Sequence, residues 1–304
     1  MKRITIGPND AGQRLDRFLA KAMPLLPGAL AQKYIRLKRI KVNGTAGKRD
    51  TRLNEGDELC IYINDEYFEK PTGENAYLAV NKPELNIVYE DDNIMLCDKP
   101  AGMSVHADSF GALGTLIANI QAYLFQEGKW DPKQENTFAP ALCNRIDRNT
   151  CGIVIAAKNA EALRDMDEII RANNVHKEYV CITTGTLKER SGRLENYLFK
   201  DAKQNRVYVR TKPEPGAKKA ITLYETIATR QGMSLVRCKL ITGRTHQIRA
   251  QLAAAGAPLL GDGKYGRTGR QALWSIRPFA HISSPLTIRG NWAVFPIWQA
   301  GLLR

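Results

Sequence analysis

Nowhere in the 304-residue chain do about 18 apolar residues follow one another, so no membrane-spanning helix is expected. The opening Met-Lys-Arg-Ile-Thr-Ile-Gly-Pro-Asn-Asp lacks the apolar core of an export signal, and the expected setting is cytoplasmic. Six cysteines (Cys60, Cys97, Cys143, Cys151, Cys181, Cys238) are scattered without a Cys-x-x-Cys pair. Without an export signal they read as reduced thiols packed as small hydrophobes. The four histidines, His106, His176, His246 and His281, have no metal-ligand spacing. A glycine loop of the kind that cradles nucleotide phosphates is also missing. The expectation is therefore chemistry with no cofactor and no metal. Internal repeats are absent too.

What is present in excess is positive charge. Hydrophobic and charged contents of 43% and 25% are ordinary, but the formal net charge is +14. That points to a polyanionic partner, with nucleic acid ahead of an anionic membrane. The charge is uneven. Residues 1–64 hold 13 Lys+Arg against 6 Asp+Glu, half of the excess in about a fifth of the chain.

The length suits about two domains. In the first unit, residues 1–64, Asp10 with Gln13 predicts a helix start. Leu15, Phe18, Leu19 and Ala22 then follow the spacing of one buried helix face. Pro24 and Pro27-Gly28 interrupt it. A second helix is predicted over Ala29–Arg39, with Leu30, Tyr34 and Leu37 inward. Lys33, Arg36, Lys38 and Arg39 lie on its other faces, and Lys41 follows just beyond. This basic set would suit a phosphate backbone, although a solvated helix face would carry the same charges. Val42-Asn43-Gly44 reads as a turn, and Leu59, Ile61 and Ile63 alternate as a strand should. Residues 65–87 form a linker. The acidic, proline-containing stretch around them predicts a solvated connector that lets the first unit dock semi-independently.

Residues 88–304 mix short strands with few helices. Asn93–Cys97 predicts a strand. A helix follows with Leu113, Leu116, Ile117, Ile120 and Leu124 on one face and Thr115 as its cap. Another begins after Asn159 and buries Leu163, Met166 and Ile170. Strands are expected at 179–184, 206–210, 220–227, 233–240 and 281–288. Thr245 is expected to cap a last helix with Ile248, Leu252 and Ala255 inward, ended by Gly256. The class is α+β with a largely antiparallel sheet.

The stretch with most chemistry is Asn144-Arg145-Ile146-Asp147-Arg148-Asn149-Thr150-Cys151-Gly152, followed by an apolar strand. Two flanking cations favour the ionised form of Asp147. A rigid strand behind the loop would fix its position. Arg145 and Arg148 could meet phosphates or stack on a base. A structural salt bridge would explain the same Arg-x-Asp-Arg pattern equally well.

This stretch resembles the His-Arg-Leu-Asp-x-x-Thr-Ser-Gly motif of RluA-family pseudouridine synthases, with Asn144 in place of the usual His and Cys151 in place of Ser. The resemblance continues in Tyr89-Glu90-Asp91-Asp92-Asn93 with Asp98-Lys99-Pro100-Ala101-Gly102. It continues in Lys177-Glu178-Tyr179 with Gly185. It is longest in Thr242-Gly243-Arg244-Thr245-His246-Gln247-Ile248-Arg249, running on to Gly261-Asp262-Gly263-Lys264-Tyr265-Gly266. These pieces span most of residues 88–290. Separately, residues 10–63 resemble the S4 RNA-binding domain, through Gln13-Arg14-Leu15-Asp16-Arg17-Phe18-Leu19, the basic helix, Lys41-Val42-Asn43-Gly44 and Leu53-Asn54-Glu55-Gly56-Asp57.

The resemblance implies a mainly antiparallel mixed-sheet pseudouridine synthase domain at 88–304, preceded by a small S4 α/β module at 1–64. It implies an RNA isomerase that detaches uracil at N1 and rejoins it through C5. Asp147 would be nucleophile or base on the sugar. Tyr179 would stack on the target ring. Arg249, rather than Arg244, would pair with Asp147, and Arg145 would fill the space left by the extruded base. Arg148, Lys33, Arg36, Lys38, Arg39 and Lys41 would contact RNA. Ribosomal RNA is the favoured partner and transfer RNA the alternative; no membrane is involved, and a monomer is expected. Simpler roles stand beside these: phosphate contact for Arg249, a core aromatic for Tyr179, a structural part for His246 and turn architecture for Gly261–Gly266. Two rival functions are an RNA-binding protein without activity and a metal-dependent nuclease. The latter would need clustered carboxylates, and none stands out.

Overall fold

A computed structural model describes residues 1–63, 65–68, 72–107, 111–112 and 114–266, together with the strands at 277–282, 286–288 and 291–293. The chain begins with β1 (Lys2–Thr5), α1 (Leu15–Ala22), α2 (Gly28–Arg36), β2 (Ile40–Val42), β3 (Thr45–Ala46) and β4 (Glu58–Ile61). These strands form a sheet in the order β1-β4-β2-β3. Leu15, Phe18 and Leu19 of α1, Ala31 and Ile35 of α2, and Leu59 and Ile61 of β4 make one apolar core beneath it. Asn43 and Gly44 both have positive φ, at 50° and 76°, as a tight hairpin turn between β2 and β3 requires.

Two expectations are corrected here. Helix α1 starts at Leu15, not near Asp10, and has no side-chain cap. Asp10 is 1% exposed, and its carboxylate accepts from Asn136 Nδ2 and Thr137 Oγ1 in the remainder of the chain. A long-range use of the side chain has displaced the local capping one. Helix α2 ends at Arg36 because Lys38 turns left-handed, with φ 57°, so Leu37 is 54% exposed rather than inward.

The connecting segment is not solvated throughout. Residues Thr72–Ala79 form a 3-10 helix. From it Tyr77 is buried, edge-on to Phe125 and Trp130 with centroids 5.4 and 5.2 Å away. An acidic composition had concealed one aromatic that finds a core.

Next come β5 (Ile87–Glu90), β6 (Ile94–Lys99), α3 (Leu116–Gln126), β7 (Ala141–Leu142), β8 (Gly152–Ala157) and α4 (Ala160–Arg171). Their strands pair in the order β5-β6-β8-β7. Thr115 caps α3 as expected, accepting from Ala118 N, and α4 begins after Asn159 as expected, with Asn159 itself capping it by accepting from Ala162 N. Leu113 lies outside the described residues. A long sheet follows: β9 (Val175–Thr184), β10 (Ser191–Asp201), β11 (Arg206–Arg210), β12 (Ala217–Arg230) and β13 (Met233–Leu240). Then come α5 (Gln247–Ala254), β14 (Arg277–Ile282), β15 (Leu286–Ile288) and β16 (Asn291–Ala293). The order β11-β10-β12-β13-β9-β14 is antiparallel throughout. Strand β10 is not expected from the sequence, because Gly192 and Asn196 stand on the inward side of its alternation. The single strand expected at 281–288 is divided between β14 and β15.

Helix α5 lies on β10 and β12, fastened by two buried glutamines one turn apart. Gln247 donates to Ile221 O and Thr222 Oγ1 and accepts from Thr242 Oγ1 and Arg244 N. Gln251 donates to Leu194 O, Asn196 Oδ1 and Ala220 O and accepts from Thr222 Oγ1. Buried amides satisfied on every side fix one orientation of a helix. Thr245 does not cap it. The cap position is His246, in a left-handed conformation with φ 51°. Ile248 and Leu252 face inward, whereas Ala255 lies outside at the helix end before Gly256, whose φ is 86°.

The N-terminal unit meets the rest through polar groups. Besides Asp10, Asn136 donates to Thr5 O at 2.9 Å, and Asn9 donates to Glu135 at 2.7 Å. Asn9 Oδ1 also receives the Ala160 N–H at the start of α4. Among the described residues no helix is long and apolar enough to cross a membrane.

Candidate active site

Asp147 sits on the loop that feeds β8, and both ends of that loop are secured. At its start, Asn144 Oδ1 accepts from Ile155 N at 2.8 Å and its amide donates to Ile153 O. The carboxamide thereby continues along β8 the pairing that the short β7 begins, which accounts structurally for an Asn at this position. Thr150 N then closes a turn on Asp147 O. Lys99, fully buried at the end of β6, donates to Pro100 O, Met103 O and Arg148 O at 2.7, 2.8 and 3.0 Å. One ammonium thus gathers three carbonyls and ties the Asp147 loop to the 100–103 turn. Burial pushes its pKa down to about 8, against the raising effect of Cys151, Asp147 and Asp98.

The partner predicted for Asp147 is in place. Arg249 Nη1 donates to Asp147 Oδ2 at 2.9 Å. Because α5 starts at Gln247, Arg249 falls in its first turn, where the positive end of the helix disfavours a cation. Two carboxylates offset that. Asp262 accepts from Arg249 Nε at 2.7 Å and from Nη2 at 3.0 Å. Burial opposes the guanidinium charge, but the bonds to Asp262 and then to Asp147 outweigh it and raise its pKa. Asp262 is nearly enclosed. Burial alone would raise its pKa, yet Arg249 and the Lys264 and Tyr265 amides hold it below the carboxylate range. Sequence reasoning missed Asp262. The available signal was an acidic residue inside a glycine turn so tight that a Cβ on Gly266 would collide with the Asp262 carbonyl.

Tyr179 extends from β9 between two apolar clusters. Burial, with a smaller push from Asp147, raises its phenol to about 12, so the ring stays neutral beside the carboxylate. His246 also belongs here. Its Nδ1 is 2.9 Å from Tyr265 Oη, and its Nε2 is 3.9 Å from Asp147 Oδ2. Burial pushes its pKa down to about 4, although Asp147 pulls the other way.

Other expected residues do not converge on this point. Arg145 and Arg148 are exposed on the same loop, and Arg148 Nε donates to Gly102 O at 2.9 Å. Lys33, Arg36, Lys38 and Arg39 are exposed on or just after α2, with Arg39 over the Tyr34 ring at 5.4 Å. Lys41 is half-buried on β2, its ammonium 5.7 Å from the Tyr62 ring centre. Arg244 donates to Lys219 O and takes no part in the ion pair. Among the described residues no three His, Cys, Asp or Glu side chains converge as a cation would require.

Residues 93–254 match the family described as RNA pseudouridylate synthase. The chain belongs to that family. An uncharacterized RNA pseudouridine synthase of Mycoplasma genitalium is 34% identical over 86% of this chain and 81% of its own length. The ribosomal large subunit pseudouridine synthase C of Escherichia coli K12 is 29% identical over 88% of this chain and 80% of its own. The human protein called RNA pseudouridylate synthase domain containing 1 shares the fold. Its TM-score is 0.53 at 20% identity, over 70% of this chain and 84% of that one. As an RNA pseudouridine synthase the chain is an isomerase, in keeping with the α+β antiparallel architecture.

Proposed function

We propose that this pseudouridine synthase modifies uridine in structured RNA, and specifically in large-subunit ribosomal RNA. The Arg249–Asp147 ion pair, held beside the neutral Tyr179 ring, carries the reading of the site. Asp147 acts on the sugar of an extruded uridine, as nucleophile at C1′ or as base. Arg249 orients it, Tyr179 supports the uracil ring, and Arg145 fills the vacated space in the RNA. Arg148 meets the neighbouring backbone. The named activity of the Escherichia coli relative, which this chain matches along most of its length, supports the ribosomal substrate.

Residues 1–64 serve as an S4-like RNA-binding module, residues 65–87 as its connector and 88–304 as the catalytic domain. A separate apolar core and the exposure of Lys33, Arg36, Lys38 and Arg39, with Lys41 beside them, support that division. A monomer acting in the cytoplasm, where such RNA is found, completes this reading.

The test is tritium release from 5-tritiated uridine in ribosomal RNA of cells lacking this gene. Wild type should release tritium, and Asp147→Asn should release none while binding RNA within a few-fold of wild type. Release by both proteins would sink the assignment of Asp147. Release by neither would redirect the search to transfer RNA and assembly intermediates.

A further inference from the structure

We infer that His246 is a positioning residue for the catalytic carboxylate: Tyr265 fixes its tautomer so that Nε2–H faces Asp147 Oδ2, leaving Oδ1 as the reacting oxygen. This rests on the proposed role of Asp147.

One hydroxyl on one side of the ring and a carboxylate on the other point to the tautomer. Tyr265 Oη accepts the Val207 N–H at 2.9 Å and lies 2.9 Å from His246 Nδ1. Its own proton has no other acceptor among the described residues. Nδ1 is thus the protein acceptor left for the hydroxyl proton, an arrangement that puts the imidazole proton on Nε2, on the side of the Asp147 carboxylate. The opposite tautomer would point a bare nitrogen lone pair at the carboxylate.

Nε2 faces Asp147 Oδ2, the oxygen that also receives Arg249 Nη1. The remaining bonds of Arg249 go to Asp262. No described group donates to Oδ1. Among the described residues, two donors thus flank one oxygen and none reaches the other. At 3.9 Å the imidazole is beyond a direct bond, and such contacts tighten when substrate fills a site. Burial keeps the ring neutral, so it orients the carboxylate without adding a second full charge. A general-base role, taking the C5 proton of the uracil, would require the other tautomer.

The experiment compares His246→Ala, His246→Gln and Tyr265→Phe in the full chain by 5-tritium release. Glutamine places an amide N–H near the position of Nε2 but cannot act as a base. His246→Ala should lower kcat about 10- to 100-fold with KM within about three-fold, and His246→Gln should restore most of the loss. Tyr265→Phe should resemble His246→Ala, and the double variant should be no worse than the single one. If His246→Gln is as slow as Ala and 5-deuterated uridine then shows a primary isotope effect, His246 is the base instead. A change in KM alone would make it an RNA contact, and unchanged kinetics in all variants would also overturn the proposal. Activity in Asp147→Asn would instead remove the reading beneath it, whatever the His246 variants do.

Discussion

Asp262 grips Arg249 with two hydrogen bonds, whereas Asp147 receives one. The two carboxylates differ in access as well. The Asp262 side chain is 4% exposed and that of Asp147 28%. The enclosed one sets the direction of the guanidinium, and the accessible one is left to react. Asp262→Asn should therefore lower kcat by about 100-fold through misplacement of Arg249, with RNA affinity nearly unchanged. It should also depress the thermal midpoint more than Asp147→Asn, since it strands a buried charge. Single-turnover kinetics and thermal melts of both variants check this; equal midpoints would argue against it.

His246 gives stability a pH dependence on the acid side. Its folded pKa, pushed to about 4, lies below the reference value of 6.5, so the unfolded chain binds more protons between those limits. Stability from this group is fully present above 6.5 and declines as pH falls toward 4. The loss is at most about 3 kcal/mol. Urea titrations at pH 7 and pH 4.5 should show a smaller difference for His246→Gln than for wild type.

Lys99 is a buried cation whose three hydrogens all reach carbonyls. Lys99→Met should cost about 1–3 kcal/mol for the carbonyls left without a donor and loosen the Asp147 loop, which would appear as faster amide exchange over residues 145–151. Arginine should not rescue it, because a planar fork does not fit a site built around a point charge. Normal exchange in Lys99→Met would show that the loop is held by its backbone alone.

The contact between the N-terminal unit and the remainder includes Thr5, Asn9, Asp10 and Gln13 against residues 135–137 and Ala160. Asp10→Ala should release the unit, seen as a larger radius in X-ray scattering. Activity on a short stem-loop should persist while kcat/KM falls on long ribosomal RNA. Deleting residues 1–64 should weaken RNA binding and lower its salt dependence. An unchanged salt slope would remove the phosphate-binding role of Lys33, Arg36, Lys38, Arg39 and Lys41.

Local physics explains which parts were legible in the sequence. The cap Thr115, the helix start after Asn159 and the turn at Asn43-Gly44 use neighbouring residues only, and each was readable. The pairing of Arg249 with Asp147 was legible through resemblance, since 102 residues separate the partners. Asp10, Tyr77 and Asp262 were misread for one reason: each side chain serves a distant element, while its surroundings advertise a helix start, a linker or a turn. Strand β10 was hidden by Gly192 and Asn196, which stand on its inward side where apolar residues are expected. The left-handed His246 displaced Thr245 as cap, and no spacing rule marks a non-glycine residue in that conformation.

The pinning of the Asp147 loop bears on how binding free energy is used. Asn144 completes β8 on one side, Thr150 closes the turn, and Lys99 and Gly102 hold Arg148 from beneath. The conformational entropy of this loop is surrendered when the chain folds, before RNA arrives. Contacts with RNA then need not order the carboxylate. They can be directed to unstacking a base and drawing it into place, a cost of a few kcal/mol that falls on the nucleic acid rather than on the enzyme. Differences among candidate uridines in how readily they leave the helix should then translate almost directly into differences in rate.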